Sequence, residues 1–417
     1  MDRVASVAGF RALLTPSGQA VLAEVAAADL GESALLGTAA RLRTRYPPEL
    51  VAAALTQARL RVRAGAKFGP DAARMYFTAE GLEQATRSSV AAHRARRFPA
   101  APVLDLCCGI GGDLIALARH GCAAAGIDGD PLTIAVARAN IAALGLSGHA
   151  TVREGDALRA DPAGHVAVFA DPGRRTARGR VFDPKAYRPP LDDLLALVSG
   201  ASGGCVKVAP GIPHEAVPAG AEAEWISVGG EVKEAAIWLG SLAGHAARRA
   251  TVLPADRDWP AGAPANHEPA NHEPASLVPE PGLGDPPVGP WRRYLYEPDG
   301  AVIRAHLVAE VAAAVDGTLA DPRIAYITSD TLRPTPFATA YEIHEVMPFS
   351  LKRLRRALRA RRAGTLTIKK RGSAVDIERL RRDLRPAGAA HITVVLTRIS
   401  TSPVALLCQP IKPTYGQ

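Results

Sequence analysis

Between Pro102 and Leu239 short apolar runs alternate with helical stretches, and this alternation is the strongest constraint on the fold. Val103-Leu-Asp-Leu, Ala123-Ala-Ala-Gly-Ile-Asp, Ala150-Thr-Val-Arg, Val166-Ala-Val-Phe-Ala and Cys205-Val-Lys-Val are too short and too uniformly apolar for surface helices. Strands buried on both faces have this composition. Helical patterns at Asp113–His120, Pro131–Leu144 and Leu191–Val198 separate them. Strand–helix alternation of this kind predicts an α/β fold with a parallel, doubly wound sheet. The last two runs, Ala223–Val228 and Val232–Leu239, are joined only by Gly229-Gly230-Glu231. So short a link permits an antiparallel hairpin and no crossover helix. The expected architecture is therefore a Rossmann-like sheet closed by an antiparallel hairpin.

The flanks differ in character. Residues 1–95 carry helical periodicity at Ala20–Leu30, Leu35–Leu42 and Pro48–Val62, which predicts a small helical domain or lid. From Pro254 to Pro290 there are 10 prolines in 37 residues and a tandem Pro-Ala-Asn-His-Glu beginning at Pro264 and Pro269. Such a stretch cannot bury enough apolar surface to order itself, so 246–290 is expected to be a linker. The repeated His267 and His272 have no metal-ligand spacing, and no metal is expected. Residues 291–417 mix strands with helices at Ala305–Val315, Leu351–Arg361 and Asp376–Leu384, an α+β module that divides into 291–345 and 346–417. With residues 96–245 as the central domain, 417 residues fit several cores better than one.

Charge distribution narrows the partners. The net charge is +9, yet Leu351 to Arg385 alone carries 14 Lys+Arg against 3 Asp+Glu. The whole positive excess therefore sits in one C-terminal stretch, as a surface for a polyanion such as RNA requires. Lys369, Lys370 and Arg371, ahead of Gly372, are the expected phosphate contacts, with the five basic residues within Lys352–Arg359 on the preceding helix forming one surface with them. Five cysteines, two of them adjacent, supply no disulfide framework, and no apolar run approaches the ~18 residues of a membrane span. Nor is there a basic-then-apolar leader at the N-terminus. The expectation is a cytoplasmic protein without a membrane partner, its oligomeric state left open.

The chemistry concentrates at the end of the first strand, in Asp105-Leu-Cys107-Cys-Gly109-Ile-Gly111-Gly112-Asp113. Glycines there let the backbone approach a ligand and turn into a helix whose N-terminus favours negative charge. The spacing is not that of a dinucleotide fingerprint, and Asp105 suits a cationic ligand better than a pyrophosphate. Asp128, beside Gly129, ends the second strand, where a carboxylate can accept both hydroxyls of a ribose. Asp156-Ala157 follows the third strand, and Asp171-Pro172 ends the fourth.

These four motifs, in register over residues 103–172, resemble a class I S-adenosylmethionine-dependent methyltransferase. The combination with Ile127-Asp-x-Asp130-Pro131 and Ala137-Arg-x-Asn140 is similar to the trimethylguanosine-synthase-like branch, in which Thr78-Ala-Glu-Gly-Leu-Glu-Gln-Ala-Thr86 closes over the cofactor. Trp291 to Leu354, followed by Leu366 through Cys408, resembles the ferredoxin-like plus THUMP-like pair of bacterial RNA-methyltransferase-related proteins. The resemblance implies an enzyme with S-adenosylmethionine as cofactor, RNA as partner, and Thr78, Asp105, Cys107, Gly109, Gly111, Gly112, Asp113, Asp128, Gly129, Asp156 and Ala157 around the cofactor.

The acceptor atom stays open. Carbon-5 pyrimidine methylation needs a cysteine beside the motif after strand four, and Asp171-Pro-Gly-Arg174-Arg175 has none. Amino-nitrogen methylation fits Asp171 and Pro172, but Gly173 and Arg174 stand where a second proline and an aromatic would give a stacking platform, which leaves Phe182, Tyr187 or an arginine plane. Ribose 2′-O-methylation would use Lys67, Asp171, Lys207 and Glu234, and a lysine inside an apolar strand is unusual. Arg174 and Arg175 stand where they can clamp a substrate phosphate. A non-catalytic RNA-binding protein, or a methyltransferase acting on a small molecule or a protein, remains the alternative to an RNA methyltransferase.

Overall fold

The computed structural model describes residues 3–28, 32–173, 175–176, 179–180, 187–255 and 273–411. Contacts divide the chain into two compact units, the first essentially Met1–Gly229, Lys233–Ala247 and Leu253–Pro274, the second mainly Ala275–Gln417.

In the first unit the strands are β1 (Pro102–Leu106), β2 (Ala123–Asp128), β3 (Ala150–Glu154), β4 (Ala167–Ala170), β5 (Gly203–Val208), β6 (Glu222–Val228) and β7 (Glu231–Gly240). They lie in the order β3-β2-β1-β4-β5-β7-β6. The pairings β1–β2, β1–β4, β2–β3 and β4–β5 are parallel, whereas β7 runs antiparallel to β5. The α/β fold and its antiparallel closure thus agree with the sequence. One detail differs: the second strand of the closing pair, not the first, inserts beside β5. Every residue of β4 and β5 is buried, which is why they read as unbroken apolar runs.

The N-terminal helices Arg3–Leu13, Pro16–Ala26, Glu32–Arg43 and Pro48–Phe68 do not keep a core to themselves. Phe10, Val21, Leu42, Val51 and Phe68 form one apolar cluster with Ile110, Ile115, Val136 and Ala139 of the sheet-flanking segments. The expected boundary at 95 therefore divides one core. The apolar stripes of those flanking helices can only leave water by packing against the N-terminal ones.

In the second unit β8 (Arg248–Leu253) and β9 (Ala275–Leu277) pair with each other antiparallel, so the expected 246–290 linker contains ordered strands. His267 and His272 lie outside the described residues. β10 (Tyr294–Pro298), β11 (Thr318–Asp321), β12 (Ile324–Ser329), β13 (Ala338–Pro348), β14 (Ala363–Lys370), β15 (Ala390–Ile399) and β16 (Ser402–Pro410) form one sheet, ordered β11-β12-β10-β13-β16-β15-β14. The division expected at 345 falls inside β13, which pairs with β10 on one side and β16 on the other. The described residues from 291 on are therefore built on one sheet where two domains were expected. Helices Leu351–Ala360 and Ile377–Leu384 bury Leu354, Leu358, Leu380 and Leu384, an i/i+4 stripe on each, into its core.

Candidate active site

A cavity of about 1110 Å³ opens at the carboxyl ends of β1, β2, β3 and β4. This is where open α/β sheets bind their ligands. It is lined by Thr78, Asp105, Cys107, Gly109, Gly112, Asp113, Asp128, Gly129, Asp156, Ala157 and Asp171 among the residues singled out from sequence. Gly111 sits at the turn into helix Gly112–Arg119 with φ of +89°, a conformation closed to most side chains.

The cavity is roofed from the N-terminal side. Asn140 accepts from Tyr76 N at 2.6 Å and donates to the carbonyls of Tyr76 and Ile110 at 3.1 and 2.9 Å. Gln57 pairs both ways with the Phe77 backbone, at 2.6 and 3.0 Å. These bonds fix the segment leading to Thr78, whose hydroxyl caps helix Ala79–Gln84 by accepting from Gly81 N at 2.9 Å. A Cβ on Gly81 would lie 2.5 Å from Ile110 Cγ2, so only glycine lets this helix close on the glycine loop.

The cofactor side carries one anomaly. Asp105 is fully buried, and neither carboxylate oxygen has a hydrogen-bond partner among the described residues. Burial, then the nearby Asp113 and Asp171 charges, push its pKa well above the carboxylate range. An orphaned buried acid in a cavity wall fits a cation that brings N–H donors. Asp128 is oriented differently: Oδ2 accepts from Gly109 N and Oδ1 from Asp130 N, each at 3.0 Å, and lone pairs remain for hydroxyls. Burial outweighs those bonds and raises its pKa too. Asp156 is more exposed and accepts from Leu158 N at 3.0 Å. These residues fit S-adenosylmethionine: Asp105 would hold its cationic end, and Asp128 and Asp156 its nucleoside. When bound, the cofactor supplies an electrophilic methyl group on a sulfonium.

A pH dependence follows. Asp105 keeps its proton in the ligand-free protein to higher pH than an ordinary carboxyl, whereas a bound cation favours the ionised form. Binding therefore releases a proton, and S-adenosylmethionine affinity is expected to rise with pH up to the raised pKa of Asp105. Titration calorimetry in buffers of different ionisation heats should report that release, and Asp105→Asn should remove it. Identical heats in all buffers for the parent would contradict this assignment.

On the acceptor side the structure keeps half of the sequence-derived set. Lys207 Nζ, buried, donates to Asp171 Oδ2 at 2.6 Å and to Thr86 Oγ1 at 2.8 Å. Thr86 Oγ1 donates to Asp113 Oδ2 at 2.8 Å. Arg94, fully buried, bridges Asp113 and Glu234. Burial works against the guanidinium, but Asp113 and Glu234 together raise its pKa. Asp113 is held below the usual range by Arg94 and then Lys207, against a burial effect that would raise it. Glu234 is raised, its burial outweighing Arg94 and Lys207.

Of the set Lys67, Asp171, Lys207 and Glu234, Lys207 and Asp171 are in direct contact and Glu234 lies within electrostatic range of both. Lys67 Nζ donates to the carbonyls of Leu82, Glu83 and Ala85 at 2.8 to 2.9 Å, serving the end of helix Ala79–Gln84 and not a substrate. Glu234 answers Arg94, and neither it nor Lys207 lines the cavity. Pro172 is buried behind the wall. Arg174 and Phe182 lie outside the described residues, and Arg175 falls in a two-residue strand, Arg175–Thr176. Tyr187 is buried with its hydroxyl accepting from Ala209 N at 2.7 Å, so it is no stacking platform. Cys107 lines the cavity, but burial, then Asp128, raise its pKa and keep the thiol protonated.

Sequence reasoning missed Arg94 as the partner of Asp113, the linking role of Thr86, and Arg188, an exposed cation on the cavity wall. Thr86 closes a motif already visible in the sequence. Arg94 gives no local signal among the arginines around it.

In the second unit Lys369, Lys370 and Arg371 do not form a free basic loop. Lys369 Nζ is 2.5 Å from Glu297 Oε2, Lys370 donates to Val375 O at 3.0 Å, and Arg371 stacks on Tyr326 at 5.3 Å. A sheet surface holding Glu297 and Tyr326 next to this strand satisfies two of the three. The free charge lies on the two helices and just past their C-terminal ends. Lys352, Arg353, Arg356, Arg359, Arg362, Arg382 and Arg385 are exposed and make no ion pair among the described residues.

The described residues include no helix long and apolar enough to cross a membrane and no cluster of groups that could hold a metal ion. Three family models match: a methyltransferase domain at 103–170, a THUMP domain-like family at 338–410, and a domain of unknown function at 6–64. A Mycobacterium tuberculosis protein, described in two strains as an uncharacterized S-adenosylmethionine-dependent methyltransferase, is 37% identical over 368 residues, 84% of this chain and 95% of that one. The crystal structure of a candidate methyltransferase from Porphyromonas gingivalis shares the fold, with a TM-score of 0.70 at 22% identity over 91% of this chain and 99% of the other. With the cavity at the strand ends and its acids in order, these likenesses lead to one conclusion: the chain belongs to the S-adenosylmethionine-dependent methyltransferases, enzymes that use S-adenosylmethionine as cofactor.

Proposed function

We propose that the enzyme methylates RNA at a base amino nitrogen, with the THUMP-like module holding the RNA and Asp171 holding the reacting group. Lys352, Arg353, Arg356 and Arg359 of helix Leu351–Ala360 and Arg382 of helix Ile377–Leu384, exposed and without an ion pair among the described residues, carry the RNA reading. Positions three and four apart on a helix lie about 5–6 Å from each other, so Lys352, Arg356 and Arg359 make a row of charge suited to a phosphate backbone. This reading belongs with a cytoplasmic enzyme.

Asp171 favours nitrogen over ribose oxygen. Lys207 occupies Oδ2, so Oδ1 is left to accept an amino hydrogen, and it takes the proton as the nitrogen acquires its methyl group. The lysine that would deprotonate a ribose hydroxyl is already committed to Asp171 and Thr86 and stands behind the wall. Arg188, with Pro189 and Pro190, lines the cavity where a flat base needs a face to stack on. Labelled S-adenosylmethionine and RNA from cells lacking the gene should yield N-methylated bases on nucleoside mass spectrometry. A 2′-O-methylnucleoside would overturn the acceptor, and label appearing only in protein would overturn the RNA.

The surface has its own test. Changing Arg353, Arg356 and Arg359 to Gln should flatten the salt dependence of RNA affinity by about two logarithmic units, at roughly 0.7 per lost phosphate contact. Cofactor affinity should not move. Parallel salt titrations for variant and parent in a filter-binding assay would show that this helix face does not touch RNA.

A further inference from the structure

We propose that Thr86 is a positioning residue that ties the start of the glycine-loop helix to the acceptor carboxylate of Asp171 through Lys207. The inference rests on the reading of Asp171 given above. An ammonium only donates, and an ionised carboxylate only accepts, so the hydrogen-bond directions are fixed. Lys207 Nζ donates to Thr86 Oγ1 at 2.8 Å, and Thr86 Oγ1 spends its single proton on Asp113 Oδ2 at 2.8 Å. The hydroxyl is therefore a one-way link that neither an alkyl side chain nor a carboxylate can replace.

Its setting makes the link consequential. Thr86 is buried yet lines the cavity, as do Asp113 and Asp171. Asp113 opens helix Gly112–Arg119 and is clamped by Arg94 from the other side. Lys207 lies on the fifth strand and reaches Asp171 at the end of the fourth, 2.6 Å away. Without Thr86, the lysine keeps Asp171 as its one side-chain hydrogen-bond partner among the described residues and is free to turn, carrying the carboxylate with it. A displacement of about 1 Å at a reacting group is enough to cost about 10²-fold in rate.

The experiment compares Thr86→Val with Thr86→Ser in the full-length enzyme. The substrates are labelled S-adenosylmethionine and RNA extracted from cells lacking the gene, and S-adenosylhomocysteine binding is followed by calorimetry. For Thr86→Val, kcat should fall about 10²-fold, while KM for RNA and cofactor-product affinity stay within about threefold. Thr86→Ser should restore kcat to within about threefold of the parent. Parental turnover in Thr86→Val, equal losses in both variants, or a loss of cofactor-product affinity matching the loss of kcat would each overturn the proposal. If Thr86→Val does not fold, Thr86→Ala carries the same comparison. An inactive Asp171→Asn beside a normal Thr86→Val removes the link alone, whereas an active Asp171→Asn removes the acceptor reading beneath it. Should the parent leave RNA unmethylated, the RNA reading fails, and crystal structures decide the link: a Lys207–Asp171 contact unchanged in Thr86→Val would refute it.

Discussion

Asp171→Asn is expected to lower turnover by about 10²–10⁴-fold, the range for loss of a positioned proton acceptor. The asparagine is nearly isosteric and its carbonyl can still accept from Lys207, so the cavity should keep its shape. What it loses is the negative charge that takes up a proton from the acceptor. S-adenosylhomocysteine affinity should change little, because Asp171 is the proposed acceptor group while Asp105 and Asp128 are the acids whose settings fit the cofactor. Single-turnover rates with saturating cofactor would check this. A variant turning over within tenfold of the parent would place the proton acceptor elsewhere.

Arg94→Met should produce the largest loss of stability. The guanidinium is fully buried and neutralises two carboxylates, Asp113 and Glu234, which are themselves buried. Removing one partner of a buried pair and leaving its charge uncompensated costs about 3–5 kcal/mol. For a unit of this size the melting temperature should drop on the order of 10 °C. The sign with pH follows from the shifts. Asp113 is held below its ordinary pKa by Arg94 and Lys207 despite burial, so its stabilising contribution is present above the unfolded-state value and lost as pH falls through the folded one. The gap between Arg94→Met and the parent should therefore be widest near neutral pH and narrow on acidification, as both carboxylates gain protons. Thermal melts showing the same gap at pH 7 and at a pH below the ordinary carboxylate range would mean that the arginine acts through packing and not through charge.

The cofactor half of the site was legible because its signals are local. Asp105 to Asp113 is one strand end, one glycine turn and one helix start, and short-range backbone chemistry dictates that sequence. Asp128, Asp156 and Asp171 each end or follow a strand that periodicity reveals. The acceptor half was legible only as a pair. Asp171 and Lys207 announce themselves as an acid after a strand and a lysine within one, but nothing in the chain says that Lys67 turns to three carbonyls or that Glu234 answers Arg94.

By itself, then, the sequence determined a parallel α/β sheet with an antiparallel closure, the acids that line the cavity at its strand ends, and a basic C-terminal stretch. Hydrophobic period and turn chemistry act over a few residues, so they survive in a linear reading. Only the tertiary structure decided which charges are spent and which are free. Lys207 meets Thr86 across 121 positions, Arg94 meets Glu234 across 140, and Lys369 meets Glu297 across 72. Charge pairing depends on distance in space and on burial, and neither is written in the order of the residues.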